Sequence, residues 1–592
     1  MRILLLIVSF LIVTQSYQIT AQPPTKLQIS KRKIDALIVN GYFYKAQKET
    51  TKYITALQQK NSKKSLAFAL LNQAVISSFL GEKITSWENI LLQGQEIINE
   101  TGSSVDKLLF YAKTAEIYNA YGDFNKAKKS ITTANTFRTT KISTKDQYLI
   151  TIASVNLNIQ QGFFDLAIYT LDEYSIQFKK TIKTTYAIVK RGKTISRKQK
   201  GNSIDEQNRK YALLLNLKTK ALLSSGNLKQ AASFLDSTNN WIISNINKRD
   251  ISYIDNKILE GEIALAEEDY EKASKVFDKI YSSYIHNSNH GISYKPTSPK
   301  YLNFIGLTAT AHWLHESNAG AQEVYNHIEP QIKRYYEKET PHHSWINALK
   351  GQKYYHKGNF TKAILIFENV LADTTTLPED HPYRLNISKF LLESYIAQRD
   401  YKKPVELMVE IDRLNIKLNL IESPTYYRYQ LEEAIYITKY SNDINKATNA
   451  FSNGLKSIKE GGLFVQSPQY IKHKNDKALY LVEFNKLNQA LDLIKTTTAD
   501  VLKTYGVTHF RYGNQLERLS NLYLITGNYS LAYRTAEKSK NILGQFSNKK
   551  LDNAQSLRTF AIIIQLTHAI VTLNVWLMIW KKKLWHFATR IF

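Results

Sequence analysis

A short pattern of residues returns along this chain about every 42 residues, and it limits the fold more than any other feature. A clear copy has a turn residue, an aromatic residue or Leu two positions later, and a small residue five positions later, and the weaker copies, at turns 81, 316, 399, 442 and 485, follow this pattern less closely. The turn positions are 41, 81, 122, 162, 226, 268, 316, 358, 399, 442, 485 and 527, and the gaps between them are 40, 41, 40, 64, 42, 48, 42, 41, 43, 43 and 42. Such a period is typical of a solenoid in which each unit packs on its neighbours. We therefore predict an all-α superhelical solenoid of about twelve helical hairpins over residues 22–548.

The three residue types of the pattern have separate roles in a helical hairpin. Gly at the turn ends the first helix, because it enters the left-handed conformation at low cost. The aromatic residue at the start of the second helix packs between the paired helices, and the small residue lets their backbones approach closely. In the copy that starts at Arg399, Pro404 takes the small-residue position, and we expect it to shift the start of that helix. The residues for which we expect a structural role in the repeat are Gly41, Ala46, Gly122, Ala127, Gly162, Ala167, Gly226, Ala231, Tyr270, Ala273, Gly358, Ala363, Gly527 and Ala532.

The copies resemble tetratricopeptide repeats. Small residues lie seven positions before the turn at Ala115, Gly261, Gly351 and Ser520, and Tyr lies four positions before it at Tyr118, Tyr354, Tyr395 and Tyr523. The usual period of that family is 34 residues, so the longer period here is similar to the variety found in kinesin light chains, as is the turn at residues 379–382. The resemblance covers residues 31–544. It implies a scaffold without enzymatic activity that holds a protein or peptide in a concave groove lined by the first helices.

The N-terminus has the organisation of a secretory signal peptide. Arg2 precedes an apolar run over residues 3–13, and a polar stretch then ends in a small residue, Ala21. We expect a signal peptide over residues 1–21, a mature chain that begins at Gln22, and export of the protein. An uncleaved membrane anchor is the alternative, although the apolar run is short for a full span.

Near the C-terminus, residues 559–580 contain no Asp, Glu, Lys or Arg. A helix of this length measures about 33 Å, enough to cross the hydrocarbon core. Lysines 581–583 follow, and Trp576, Trp580 and Trp585 lie at the same end, which is typical of an outside-to-inside span. We predict a transmembrane helix here, a basic tail over residues 581–592, and a location on the periplasmic side of the inner membrane. The alternative is a thirteenth hairpin or a helix that caps the solenoid.

The longest gap between turns contains a basic insertion, residues 179–210. Residues 179–200 include nine basic residues and no acidic one. Residues that favour β-structure flank Arg191 and Gly192, so one interpretation is a small β-hairpin, and the other is a disordered basic loop. Insertions in solenoids often lie at a binding face, so the segment is either a solvated loop or a contact for an anionic partner. The candidate contact residues are Lys190, Arg191, Lys193, Arg197 and Lys198.

Composition and motifs exclude several classes of function. The chain has no Cys, which rules out disulfides, thiol nucleophiles and thiolate metal sites. Its net charge of +28 attracts anionic partners, but Lys occurs in nearly every segment, as in a Lys-rich proteome. Residues 187–194 fit only a loosened phosphate-loop pattern, and the His pairs at 312/315 and 342/343 have no nearby thiolate or carboxylate pair. We therefore expect no enzymatic activity, cofactor or metal, and neither nucleic acid nor a small-molecule substrate as partner.

Three functional hypotheses follow. The first is a membrane-tethered interaction scaffold that faces the periplasm or the exterior and holds a protein or peptide in its groove. The second is the sensor ectodomain of a receptor whose output domain comes from a partner or from sequence downstream. The third is an exported glycan-binding protein, which would need an exposed tryptophan in a cleft. The candidates for that tryptophan are Trp87, Trp241, Trp313 and Trp345.

Overall fold

The structure is a computed structural model. It describes residues 26–39, 43–138, 144–191, 197–246, 251–286, 299–315, 341–398, 403–440, 443–460 and 467–545, with gaps of one or two residues at 81, 83, 122, 268, 380, 419 and 422–423, and isolated residues within 324–330 and 559–581. All regular structure in these ranges is helical. The prediction of an all-α fold is therefore confirmed for the described residues.

The helices alternate with short turns along the chain. Their bounds are α1 (Lys26–Val39), α2 (Phe43–Gln59), α3 (Lys63–Phe79), α4 (Ile84–Thr101), α5 (Ser104–Tyr121), α6 (Phe124–Thr136), α7 (Thr144–Gln161), α8 (Phe164–Arg191), α9 (Arg197–Ser224), α10 (Leu228–Asn245), α11 (Ile251–Ala266), α12 (Tyr270–Ile280, continued by a π-helix, Tyr281–His286), α13 (Pro299–Leu314), α14 (Pro341–His356), α15 (Phe360–Ala372), α16 (Pro382–Gln398), α17 (Lys403–Lys417), α18 (Pro424–Tyr440), α19 (Ile444–Glu460), α20 (Pro468–Glu483), α21 (Leu487–Tyr505), α22 (Phe510–Ile525) and α23 (Tyr529–Leu543).

The helices form the predicted hairpins. Eleven of the twelve predicted turns lie between two described helices; at position 316 only the first helix, α13, is described in full. We name each hairpin by its turn residue, so that α14 and α15 are the first and second helices of the Gly358 hairpin. The repeat period thus predicted the register of these eleven hairpins, because each copy of the pattern marks one chain reversal.

The Gly358 hairpin shows how the sequence produces one unit. Gly358 has a φ of +70°, in the left-handed region that ends a helix most cheaply in Gly. The side chain of Asn359 caps α15 by accepting a hydrogen bond from the backbone N–H of Lys362, 3.3 Å away. Gly351 lies against the ring of Phe367, and a Cβ there would come within 2.5 Å of that ring. Only Gly therefore permits this close contact between the two helices.

The other repeat residues lie at corresponding places. Gly162, Gly226 and Gly527 also have positive φ, from +75° to +90°. Tyr270 is half-buried at the start of α12, and Pro404 is the second residue of α17, where its missing N–H removes no helical hydrogen bond. Gly41 and Gly122 lie outside the described residues. The fully buried small residues are Ala46, Ala127, Ala167, Ala231, Ala273, Ala363 and Ala532.

The chain divides into two compact units. The first comprises residues 1–429 with 460–463, and the second comprises residues 430–459 with 464–592. Inside the first unit, the rings of Tyr148, Tyr174 and Phe178 lie 5.8 to 6.5 Å apart at the centre of an apolar cluster. In the second unit, Val501 and Tyr512 belong to a similar cluster. Each unit therefore has its own buried core, as stacked hairpins require.

The basic insertion differs from both interpretations that the sequence allowed. Residues 184–189 are helical and form part of α8, and α9 begins at Arg197. The predicted β-hairpin is therefore wrong, and a disordered loop does not describe the helical residues either. Lys190, Arg191, Arg197 and Lys198 lie on these two helices, whereas Lys193 lies outside the described residues. The β-forming residues join the helix because helical neighbours on both sides override their weak local preference.

The two terminal predictions fall mostly outside the described residues. This holds for all of residues 1–21 and for most of residues 559–580. Within the described residues, no helix combines the length and the apolar character that a membrane span requires. Thr559 and Ile563 are nevertheless described, and both are buried. The Thr559 hydroxyl donates a hydrogen bond to the carboxylate of Glu517 in α22, 3.2 Å away, so this part of the chain contacts the last hairpin.

Candidate functional site

A cleft of about 430 Å³ lies across three consecutive first helices of the first unit, α13, α14 and α16. Its lining residues lie mostly 6, 9, 10 and 13 positions before the turns at 316, 358 and 399, so one face of each first helix contributes. The cleft has apolar and aromatic side chains together with a few polar groups, as small binding sites in proteins usually do. The lining residues include Gly306, Thr310, Trp345, Leu349, Gln352, Tyr383, Asn386, Lys389, Phe390 and Glu393.

Close packing between Gly306 and Trp345 shapes one side of the cleft. A Cβ on Gly306 would lie 3.3 Å from two atoms of the Trp345 ring. Gly306 belongs to α13 and Trp345 to α14, so the missing side chain lets the indole ring lie directly against the neighbouring helix. Trp345 is only partly buried there and lines the cleft. The ring is thus held in place while part of its surface stays open to a partner.

Helix α16 adds an aromatic ring and a carboxylate to the lining of the cleft. The Tyr355 hydroxyl of α14 donates a hydrogen bond to the carboxylate of Glu393 in α16. The same Tyr355 ring meets Phe390 edge to face, with centroids 5.5 Å apart and planes at 74°, a favourable arrangement for aromatic pairs. Tyr355 therefore orients both Phe390 and Glu393. Glu393 keeps acceptor capacity for a donor in the cleft, because an ionised carboxylate accepts several hydrogen bonds.

The start of α16 is fixed by the loop that precedes it. The Arg384 guanidinium donates hydrogen bonds to the carbonyl oxygens of Leu377 and Leu371, at 3.0 and 2.9 Å. In the same loop, hydrogen bonds from Thr375 and Thr376 lower the pKa of Asp373 to about 2. Burial raises the pKa of the nearby Tyr383, which keeps its hydroxyl neutral. The helix that supplies Phe390 and Glu393 is thus held by contacts outside the cleft.

An apolar stripe continues from the cleft along the first helices of the same unit. Nine positions before the turn, the Gly226, Glu268, Glu316, Gly358 and Arg399 hairpins all carry a large apolar residue. In the Gly122 hairpin the same position is occupied by Lys113, a buried lysine whose pKa burial lowers to about 8. The stripe is therefore confined to part of the array. Its members are Leu217, Leu259, Leu307, Leu349 and Phe390. Leu217 and Leu259, which lie beyond the cleft, are buried in the core of the first unit.

The four tryptophans considered for glycan binding lie in different environments. Trp87 is fully buried, and Trp313 is nearly so. Trp241 packs edge to face on Tyr211, with ring centroids 4.9 Å apart, beside the core of the first unit. Of the four, Trp345 lines the cleft. Sequence reasoning could not select it, because its exposure depends on the small residue opposite.

Other chemistry in the described residues is limited. A second cleft of about 610 Å³ lies between α11 and α12, where Lys257 pairs with Glu260 at 2.8 Å and Lys275 with Glu271 at 2.7 Å. Its charges are thus largely matched within the protein. Among the described residues, no group of three or more His, Asp or Glu side chains could hold a metal ion.

No protein-family model matches the chain, and no curated protein matches it either. Among solved structures it is similar to a kinesin light chain of Podosopora anserina with nearly identical TPR-like repeats: 20% identity, TM-score 0.30, over 35% of this chain and 98% of that chain. It is also similar to a chain of the APC/C hetero-tetramer Cut9–Hcn1: 12% identity, TM-score 0.28, over 90% of this chain and 96% of that chain. Scores this low carry no conclusion about partners. The fold is a repeat of tetratricopeptide-like helical hairpins, as the register of turns, buried Ala residues and Gly contacts shows.

Proposed function

We propose that the protein is a non-enzymatic scaffold that binds a protein segment or peptide in the cleft formed by α13, α14 and α16. The observation that carries the proposal is the partly open Trp345 ring, held against Gly306 in a cleft that Phe390 and Glu393 also line. Partly exposed aromatic rings fixed by their surroundings give much of the binding energy in protein interfaces.

The chemistry of the cleft indicates what kind of segment fits. Trp345, Leu349 and Phe390 favour a large aliphatic or aromatic side chain of the partner. Glu393 favours a donor next to that side chain, such as a backbone N–H, a Lys or an Arg. The amides of Gln352 and Asn386 offer both donors and acceptors for an extended backbone.

Peptide selection tests the proposal directly. A random peptide library is panned on the purified full chain, and the affinities of the selected peptides are measured. We expect peptides with an apolar anchor, and Trp345→Ala should weaken their binding at least tenfold, as truncation of a central aromatic residue usually does. Asn386→Trp should also block binding; this residue is exposed, so the change fills the cleft without touching the core.

The matched control is Leu365→Ala on α15. Leu365 is a large, exposed apolar residue of a second helix, away from the lining of the cleft. Selected peptides that bind all variants alike would show that the cleft is not the binding site. Selection of glycans instead, with loss of binding in Trp345→Ala, would favour the glycan hypothesis.

We also propose that the scaffold is exported and tethered to the inner membrane on its periplasmic side. The basis is the sequence: the signal-peptide pattern of residues 1–21 and the uncharged residues 559–580. With Thr559 and Ile563 packed against protein, residues 564–580 remain for a span, about 26 Å of helix, which is near the lower limit for crossing a bilayer. Carbonate extraction of membranes, compared for the full chain and for a chain that ends before Thr559, tests the tether: release of both would contradict it.

A further inference from the structure

Helix α8 is unusually long for its place in the repeat. It has 28 residues, whereas the other described second helices have 11 to 19. The following first helix, α9, also has 28 residues. A helix of that length measures about 42 Å. The C-terminal part of α8 and the N-terminal part of α9 therefore form an extension that the other hairpins lack; we name it the basic extension, residues 179–191 and 197–206.

One exposed face of α8 leads from the hairpin into the basic extension. Leu166, Tyr169 and Ile176 are exposed to 53%, 60% and 61%, and their spacing of three and seven residues places them on one helical stripe. Lys180, four residues beyond Ile176, is exposed as well. Continued at helical spacing, the stripe reaches Lys183 and Lys190. Glu173 lies on the same stripe between Tyr169 and Ile176, and the positions of Lys183 and Lys190 follow the same spacing in the sequence.

The charges of α8 are divided between its two ends. Its three acidic residues all lie in the first ten positions. There, Asp172 forms an ion pair with Lys218, and Glu173 accepts a hydrogen bond of 2.6 Å from the Tyr169 hydroxyl. Residues 179–200 contain nine basic residues and no acidic one. The basic extension, residues 179–191 and 197–206, thus has eight basic residues against two acidic ones, Asp205 and Glu206, which lie at its end in α9.

We infer that the basic extension, together with the exposed face of Leu166, Tyr169 and Ile176, is a contact surface for a bilayer rich in anionic phospholipid. A helix surface that combines basic residues with exposed apolar and aromatic ones suits a membrane interface, where the apolar groups enter the headgroup boundary and the cations meet lipid phosphates. A nucleic acid would use the basic residues but would gain little from Leu166 and Ile176. The surface lies on α8 and the start of α9, and neither helix lines the cleft.

Vesicle sedimentation with the purified full chain tests this inference. One set of vesicles contains phosphatidylcholine alone, and the other contains phosphatidylglycerol and phosphatidylcholine in equal parts. Any contribution of residues 559–580 appears with both sets, so the difference between them isolates the effect of anionic lipid. We expect tighter binding to the anionic vesicles, and this preference should fall steeply as salt is raised.

Two variants and a matched control locate the contact. Lys190→Gln, Arg191→Gln and Lys198→Gln combined should reduce binding to anionic vesicles by tenfold to about a hundredfold, since each basic residue near an anionic surface contributes roughly fivefold. Ile176→Ser should weaken binding on both vesicle sets. The control combines Lys60→Gln, Lys128→Gln and Lys129→Gln, which removes the same charge from exposed positions elsewhere; it should change binding less than threefold.

Each remaining outcome overturns the inference. An equal loss of binding to anionic vesicles in the test triple variant and in the control triple variant would show that only the net charge of the protein matters. Equal binding to the two vesicle sets would exclude anionic lipid recognition. Competition by a single-stranded oligonucleotide or by polyglutamate at the affinity of the vesicles would assign the basic extension to polyanions in general.

Discussion

Two junctions between consecutive hairpins contain a buried pair of amide side chains, and the two pairs are bonded differently. In the first unit, Asn256 of α11 donates to the side-chain oxygen of Asn216 in α9, at 3.2 Å, and Asn216 in turn donates to the backbone oxygen of Ser252, at 2.9 Å. In the second unit, Asn475 of α20 and Gln515 of α22 exchange two hydrogen bonds, at 2.9 and 3.0 Å. In the first pair, one hydrogen bond joins the two amides and a second goes to the backbone, so we call it the open pair. In the second pair, both hydrogen bonds join the two amides, so we call it the closed pair.

The two pairs occupy the same places in the repeat. In each, one amide lies ten positions before its turn and the other lies twelve positions before the next turn. At several other junctions these positions hold apolar residues, for example Leu71 with Phe110, Ile258 with Phe304, and Ala348 with Ile387, whereas Lys389 with Gln430 and Glu432 with His473 are polar. An apolar pair stabilises any junction of similar shape, but a buried amide requires a partner. The amide pairs therefore favour particular neighbours in the stack, at a cost if the wrong hairpins meet.

Asn475→Leu should have the largest effect, because it removes both hydrogen bonds of Gln515 at once. Gln515 is 2% exposed, so water cannot replace the lost partners. We expect the free energy of unfolding of the second unit to fall by about 2–3 kcal/mol. Urea denaturation followed by hydrogen exchange of α20 and α22 measures this. A loss below about 1 kcal/mol would indicate that the closed pair contributes little.

Asn256→Leu should have a smaller effect, because Asn216 keeps its hydrogen bond to the Ser252 backbone. We expect a loss of about 1–2 kcal/mol, from the single unpaired oxygen of Asn216. Hydrogen exchange of α9 and α11 measures it in the first unit. Should this variant prove as destabilising as Asn475→Leu, the distinction between open and closed pairs would have no energetic meaning.

Local residue chemistry made the hairpins predictable from sequence. Gly358, Ala363 and Phe360 mark one turn by their types and spacing alone, and the same signal recurs along the chain. An alignment of the copies would have pointed to the amide pairs, since both occupy positions that are apolar at several other junctions. The cleft could not have been found from the sequence, because it depends on a contact between Gly306 and Trp345. These residues lie on two different helices and are about 40 residues apart in sequence.

The errors in prediction also have a physical cause. Residues 184–189 favour β-structure by type, yet they continue α8, because the helix that leads into them continues without a break. Hydropathy alone cannot show that Thr559 lies beside Glu517, since a long apolar run suits a bilayer and a helical stack equally well. In the first case the surrounding helix decides the structure, and in the second a contact with a residue distant in sequence does.

The double variant Asn475→Leu/Gln515→Leu gives the smallest expected effect and the sharpest test of the closed pair. Both amides disappear together, so no buried polar group is left without a partner, and the new side chains meet Ile471, Tyr512 and Leu516 in the surrounding apolar cluster. We expect a stability within about 1 kcal/mol of the wild type, well above that of Asn475→Leu alone. The corresponding double variant of Asn216 and Asn256 should recover less, because the bond to the Ser252 carbonyl is lost with Asn216. Double-mutant cycles for the two pairs should thus give a clearly larger coupling energy in the second unit; equal coupling energies would mean that the reciprocal geometry has no thermodynamic consequence.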